Sequence, residues 1–176
     1  MRGGRFSAYD DSGLCNNAPG DELKQLFYKQ HDANFWGAEG QGDVPLAKTD
    51  GGALSGEFQA DFVRAIFTGN LGNVPLIPPY RLGAGLNWDS DPITAGFMFY
   101  YDGRQTEIAQ LGETPTKSYV SLDTNIAWRP FSSRKVEFAI IGHNLTDAVQ
   151  RDAVSINKDA IVLPGRNVRF VLRVPF

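Results

Sequence analysis

The chain has 176 residues, of which 21% are charged and 12% aromatic, and its net charge at pH 7 is -3. This length suffices for one domain with a hydrophobic core, and the acidic balance excludes the basic footprint of a nucleic-acid-binding protein. The single cysteine, Cys15, excludes an internal disulfide, and no apolar run approaches the roughly 18 residues that a membrane-spanning helix requires.

The first 32 residues are expected to form a loop-rich segment, with a possible first strand around residues 23–29. They begin with MRGGRFSAYDDSG, which lacks the apolar stretch of a secretory signal peptide. From these residues alone, the chain is expected neither to be exported by a signal of its own nor to be anchored by a helix.

Residues 33–176 alternate between apolar and polar positions, with the period of two that side chains follow along a β-strand. No stretch shows helical spacing over a useful length. The sequence therefore predicts an all-β fold, an antiparallel up-and-down meander of about seven to eight strands. The predicted strands are, in chain order, residues 33–42, 52–67, 80–88, 93–102, 118–130, 134–144 and 167–176.

The connections between these strands differ in length. Residues 68–79, 104–117 and 146–166 are long, whereas DSDP at 89–92 and FSSR at 131–134 are tight polar turns. A meander that alternates long and short connections places all the long ones at one end, as outer-membrane barrels do with their extracellular loops. The turn DVPLAKTDG, residues 43–51, is longer than this pattern prefers.

The two faces of the predicted strands differ in chemistry, which favours a strand set with lipid on one side and a polar interior on the other. Aromatic residues near both strand ends resemble the girdles of membrane barrels. The residues predicted to face lipid are Val120, Leu122, Ile126 and Trp128. Those predicted to face the interior are Asp123, Asn125, Arg129, Arg169 and Arg173. A soluble β-sandwich or lipocalin-like barrel, with the apolar face as its core, is the alternative.

Nothing in the sequence has the spacing of a catalytic or metal site. His31 and His143 are far apart and have no ligand spacing around them. GAGLNW lacks the full dinucleotide-binding fingerprint, and no serine, cysteine or histidine has a nucleophile setting. The sequence predicts no enzyme, no cofactor and no resident metal.

The end of the chain resembles a known family. GHNLTD at 142–147, LPGRNVRF at 163–170 and the final phenylalanine are similar to the C-terminal end of TonB-dependent outer-membrane receptors. The resemblance extends through ANFWGAEGQG, IPPYRLGAGLNW and ETPTKSYVSLDTNIAW, and is strongest to the receptors associated with metal uptake, particularly of zinc. It covers residues 33–176, which are therefore expected to be strands of a transmembrane β-barrel.

This resemblance implies a barrel of about 22 strands around an N-terminal plug, located in the bacterial outer membrane and importing a scarce ligand such as a metal or metal chelate. The plug and most strands of such a receptor have no counterpart in this sequence, so a fragment is the expected interpretation. The implied partners are outer-membrane lipid, the remainder of the receptor and the barrel-assembly machinery. The implied assembly signal is the last strand, with Phe170, Leu172, Val174 and Phe176. A self-contained eight-stranded outer-membrane barrel and a soluble lipocalin-like barrel that binds a small apolar ligand are the alternatives.

Overall fold

A computed structural model of the protein describes residues 2–7, 27–109, 113–131 and 136–174. Eight antiparallel strands form one sheet, in which each strand pairs with its neighbours in sequence. The strands are β1 (Arg2–Ser7), β2 (Phe27–Thr49), β3 (Gly52–Phe67), β4 (Arg81–Asp89), β5 (Ile93–Asp102), β6 (Tyr119–Trp128), β7 (Glu137–His143) and β8 (Asn167–Arg173). The predicted all-β up-and-down meander is confirmed.

The strands with the clearest alternation of apolar and polar residues lie where the sequence predicts them. β3 and β5 have the predicted bounds, β4 is shifted by one residue, and β6 ends two residues before Pro130. Proline lacks the N–H that a strand needs to continue its ladder, which explains the earlier end of β6.

The prediction of a long turn at residues 43–51 is wrong. β2 continues to Thr49, and a two-residue turn of Asp50 and Gly51 joins it to β3. A register shift between Pro45 and Ala47 marks a bulge in this part of the strand. β1 pairs only with residues 27–32 of β2, so the rest of β2 is a sheet edge within the described residues. Proline is tolerated at an edge or a bulge because it has no N–H to donate to a neighbouring strand.

The predicted arrangement of the connections is also observed. The described parts of the long connections, residues 68–80, 103–109 with 113–118, and 144–166, lie together at one end of the sheet, where the Leu76 amide and the Lys158 ammonium both contact Glu113. The turns at 50–51 and 90–92 lie at the opposite end. Most of the predicted turn at 131–134 lies outside the described residues.

The sheet has two chemically distinct faces, because residues directly opposite each other on paired strands share a face. One cross-strand row runs through apolar side chains on six strands: Leu54, Trp88, Ala95, Ile126, Ile140 and Phe170. The adjacent row, one residue along, lies on the other face and is largely polar: Ser55, Asn87, Gly96, Asn125, Ile141 and Arg169.

Little of the described chain is a closed core. A small cluster of Ala33, Ala65, Phe67 and Val74 is buried at the long-loop end. No large side chain in the described part is fully buried. Within that part the sheet is open, with β1 and β8 at its edges.

Candidate functional site

One side of the sheet consists of successive cross-strand rows of apolar side chains and is called the apolar face here. Its side chains remain exposed: Leu86 is 50% and Phe99 is 51% accessible. The four residues predicted to face lipid, Val120, Leu122, Ile126 and Trp128, all lie on it. Its other large members include Leu54, Phe58, Phe62, Leu82, Phe97, Phe138, Ile140, Val168, Phe170 and Leu172.

Aromatic side chains lie at both ends of the apolar face. At the short-turn end, the rings of Trp128 and Phe138 are 5.7 Å apart. At the long-loop end, the rings of Tyr80 and Tyr101 are 5.9 Å apart. A hydrogen bond with Tyr101 raises the pKa of Tyr80. Rings with one apolar and one polar edge suit a boundary between hydrocarbon and water.

The distance between the aromatic bands is comparable to, and slightly shorter than, the apolar band of a membrane barrel. Ile93, which pairs with Trp128, and Tyr101 mark the two bands on β5. The intervening rise is about 27 Å at roughly 3.4 Å per residue, or about 20 Å along the normal if the strand is tilted by about 40°. That height is close to the roughly 25 Å apolar band of a membrane barrel.

The opposite side of the sheet, called the polar face here, carries an ion pair near the long loops. Asp61, Arg81, Asp102 and Tyr119 are consecutive cross-strand neighbours. The Arg81 Nε lies 3.6 Å from Asp102 Oδ1, and its guanidinium carbon lies 4.2 Å from the centre of the Tyr100 ring. The sequence reasoning missed this cluster, because its members are brought together by register alone.

Near the short turns, two of the predicted interior residues meet on one carboxylate. Arg129 Nε donates to Glu137 Oε2 at 3.1 Å, and Arg173 pairs with the other oxygen of Glu137. Glu137 was not predicted. The charge-assisted contacts join β7 and β8 to the end of β6, so they fix the register at this end of the sheet.

The other predicted interior residues also lie on the polar face. Asn125 and Arg169 share a cross-strand row, separated by Ile141. Asp123 Oδ2 lies 3.0 Å from His143 Nδ1, and its Oδ1 accepts the Asn144 amide at 2.9 Å. Asp123 therefore anchors the start of the last long connection, while His143 has no second ligand-type side chain beside it in the described residues.

The NLTD motif forms a compact turn with a clear physical basis. Asn144 has a φ of 49° and Asp147 a φ of 57°, a conformation that asparagine and aspartate tolerate better than other residues. The Asn144 side chain donates to Ala148 O at 2.9 Å and accepts the Ala148 amide at 3.0 Å. Asp147 Oδ1 accepts the Arg166 amide at 3.0 Å, which closes the long connection next to β8.

One buried carboxylate holds the three long connections together. Glu113 accepts the Leu76 amide at 3.1 Å, the Ala109 amide at 2.7 Å and the Lys158 ammonium at 3.2 Å. The side chains of Glu113 and Lys158 are only 6% and 4% exposed. The connections thus form one packed cap at the long-loop end.

Within the described ranges, no group of three or more histidine, cysteine, aspartate or glutamate residues is placed to hold a metal ion. The same residues include no helix long and apolar enough to cross a membrane. Phe170 and Leu172 of the predicted assembly signal are exposed on β8 and Val174 is exposed just after it, whereas Phe176 lies outside the described residues.

The chain matches no protein-family model and no curated protein in sequence. Among solved structures, the copper transporter OprC has the same strand arrangement, with a TM-score of 0.70 over 86% of this chain at 18% identity. The chain spans 25% of the length of that chain. The likeness shows the fold: this sheet is a meander of antiparallel strands like part of an outer-membrane β-barrel.

Proposed function

We propose that this chain forms part of the wall of an outer-membrane receptor that imports a scarce ligand, a metal or a metal chelate, with energy supplied through TonB. The observation that carries the proposal is the exposed apolar face bounded by two aromatic bands. The motifs GHNLTD and LPGRNVRF and the likeness to a copper transporter support the type of receptor.

The exposure of the apolar face argues for lipid against a soluble barrel. In a soluble protein such side chains would be covered by a second layer, and a contiguous exposed patch of this extent would drive association in water. In the described residues no second layer covers them. Lipid would cover the apolar face without that cost.

The polar face suits the interior of a transporter. Its arginine, aspartate and glutamate side chains form cross-strand ion pairs rather than facing an apolar core. In the Arg81–Asp102 pair, Arg81 Nε and Asp102 Oδ2 are buried without a hydrogen-bond partner. The open edges at β1 and β8 would pair with the remaining strands of the receptor, or with each other or a second copy when the chain is refolded alone, since strands in a bilayer must satisfy their backbone groups. The barrel-assembly machinery would act on β8.

Refolding tests the membrane part of this proposal. The urea-unfolded chain is diluted into phosphatidylcholine vesicles or into buffer, and the vesicles are floated and treated with protease. We expect protected strands in the vesicle sample and aggregation in buffer. A monodisperse, cooperatively melting monomer in buffer would support the soluble lipocalin-like alternative instead.

A genetic experiment tests the ligand class. Cells that lack the gene are grown with limiting copper, zinc or iron, and their metal content is measured by mass spectrometry. We expect a deficit in one metal that the intact gene restores. Equal content of all three metals in both strains would refute metal import while leaving the barrel proposal intact.

A further inference from the structure

Two adjoining cavities lie at the long-loop end of the apolar face. The first, of about 490 Å³, lies over Ala38, Gly40 and Ala60 and is walled by Leu82. The second, of about 320 Å³, is lined by polar residues that include Arg64, Arg104, Gln105 and Thr106. Phe62 and Tyr80 line both cavities, so the two adjoin and are together called the outer groove here.

The apolar part of the outer groove is a trough made by small side chains. Gly40, Ala60 and Leu82 are direct cross-strand neighbours, and Ala38 lies opposite Phe62. A Cβ added at Gly40 would meet no atom within 4 Å, which shows that the trough is open above this residue. A trough with apolar walls fits a single acyl chain lying along the sheet.

The polar part of the outer groove carries positive charge. Arg64 pairs with Glu107 at 3.1 Å, which neutralises one of the two arginines. Arg104 lines the same cavity as Tyr80, and it has no carboxylate partner among the residues that the structure describes. Arg104, the Thr106 hydroxyl and the tyrosine hydroxyls are donors suited to a phosphate.

We propose that the outer groove binds a membrane lipid with a net negative phosphate headgroup, with an acyl chain in the trough and the phosphate against Arg104. The inference rests on the proposed function, because the groove meets lipid only if the apolar face does. The positions of the two parts along the strands fit a membrane, because the apolar trough lies among the strands and the charged cleft lies beside the long loops. An amphiphile in the outer leaflet has the same order along the membrane normal.

Native mass spectrometry of the chain refolded in detergent micelles tests this inference. The probes are dimyristoyl phosphatidic acid and dimyristoyl phosphatidylcholine, which share their acyl chains. We expect preferential binding of phosphatidic acid, and Arg104→Gln should weaken it by about tenfold, the effect of one charge-assisted hydrogen bond. Gly40→Leu should weaken the binding of both lipids, because it fills the trough.

Arg169→Gln is the matched control, because it removes one positive charge from the polar face. Its phosphatidic acid binding should equal that of the unaltered chain. Folding of each variant is checked by circular dichroism. Equal weakening of phosphatidic acid binding by Arg104→Gln and Arg169→Gln would refute the lipid site. So would unchanged binding in both variants when each is folded in micelles. Either result leaves the barrel proposal intact. A chain that folds in buffer and does not bind detergent micelles would refute both the lipid site and the barrel proposal.

Discussion

Asn125 and Ile126 are neighbours in β6 whose side chains lie on opposite faces of the sheet: Asn125 lies opposite Gly96 and Ile126 opposite Ala95 on β5. Asn125 belongs to the polar face, and Ile126 lies between Ala95 and Ile140 on the apolar face. The pair therefore allows the same substitution to be compared on the two faces at one depth.

Arginine at Ile126 should destabilise the chain in lipid by about 2–4 kcal/mol if this residue lies near the bilayer midplane, because a guanidinium would be placed in hydrocarbon. Arginine at Asn125 should cost far less, because it would face a polar interior. Urea unfolding in phosphatidylcholine vesicles measures both free energies. Equal costs for Ile126→Arg and Asn125→Arg would contradict the assignment of the faces.

Asn144→Asp should loosen the connection between β7 and β8. The aspartate keeps the oxygen that accepts the Ala148 amide but loses the donor to Ala148 O, which leaves a partly buried carbonyl unsatisfied. The expected cost is about 1–3 kcal/mol. Hydrogen exchange near residues 144–148 should accelerate. Thr114→Ala removes an exposed hydrogen bond to Asp159 in the far part of the same connection and should leave exchange near residue 144 unchanged.

Lys158→Met should destabilise the packed cap by about 3–5 kcal/mol, because it leaves the buried carboxylate of Glu113 without its counter-ion. The double variant Glu113→Gln with Lys158→Met should recover part of this loss, since it removes both charges. Limited proteolysis of the long connections reports the effect. Additive losses in the double variant would show that the two residues act independently.

The regular strands could be predicted because each has one polar and one apolar face. β3 and β5 show this alternation along their whole length, and their bounds follow from it. The extension of β2 from Asp43 to Thr49 could not be predicted, because Pro45 interrupts the alternation and the register shifts between Pro45 and Ala47. There the strand is specified by pairing with β3, a tertiary effect that overrides local propensity.

Part of the candidate site could likewise be predicted from the sequence, and part could not. The apolar face, including Val120 and Trp128, follows from period-two alternation and could be read from the sequence. The pairing of Glu113 with Lys158 joins residues 45 positions apart in two irregular connections, where no periodicity exists. The outer groove depends on the absence of large side chains at Ala38 and Ala60, which becomes visible only with the register of β2 and β3.

Phe176→Ala should reduce barrel assembly in cells if the last strand is the signal that the assembly machinery recognises. Phe176 lies outside the described residues, so this prediction rests on the family resemblance and on the exposed alternation of Phe170 and Leu172 in β8. Refolding in detergent, which needs no machinery, should change much less. Equal losses in cells and in detergent would identify Phe176 as a packing residue.

The contact between the apolar face and lipid is tested most directly by tryptophan fluorescence. The chain has three tryptophans, and Trp36, Trp88 and Trp128 all lie on the apolar face towards its two ends. In vesicles of brominated phosphatidylcholine, we expect strong quenching of the tryptophan fluorescence. Bromines near the headgroup should quench more than bromines at the chain ends, and aqueous acrylamide should quench only weakly. Efficient quenching by acrylamide with no effect of the brominated lipids would contradict a lipid-facing sheet.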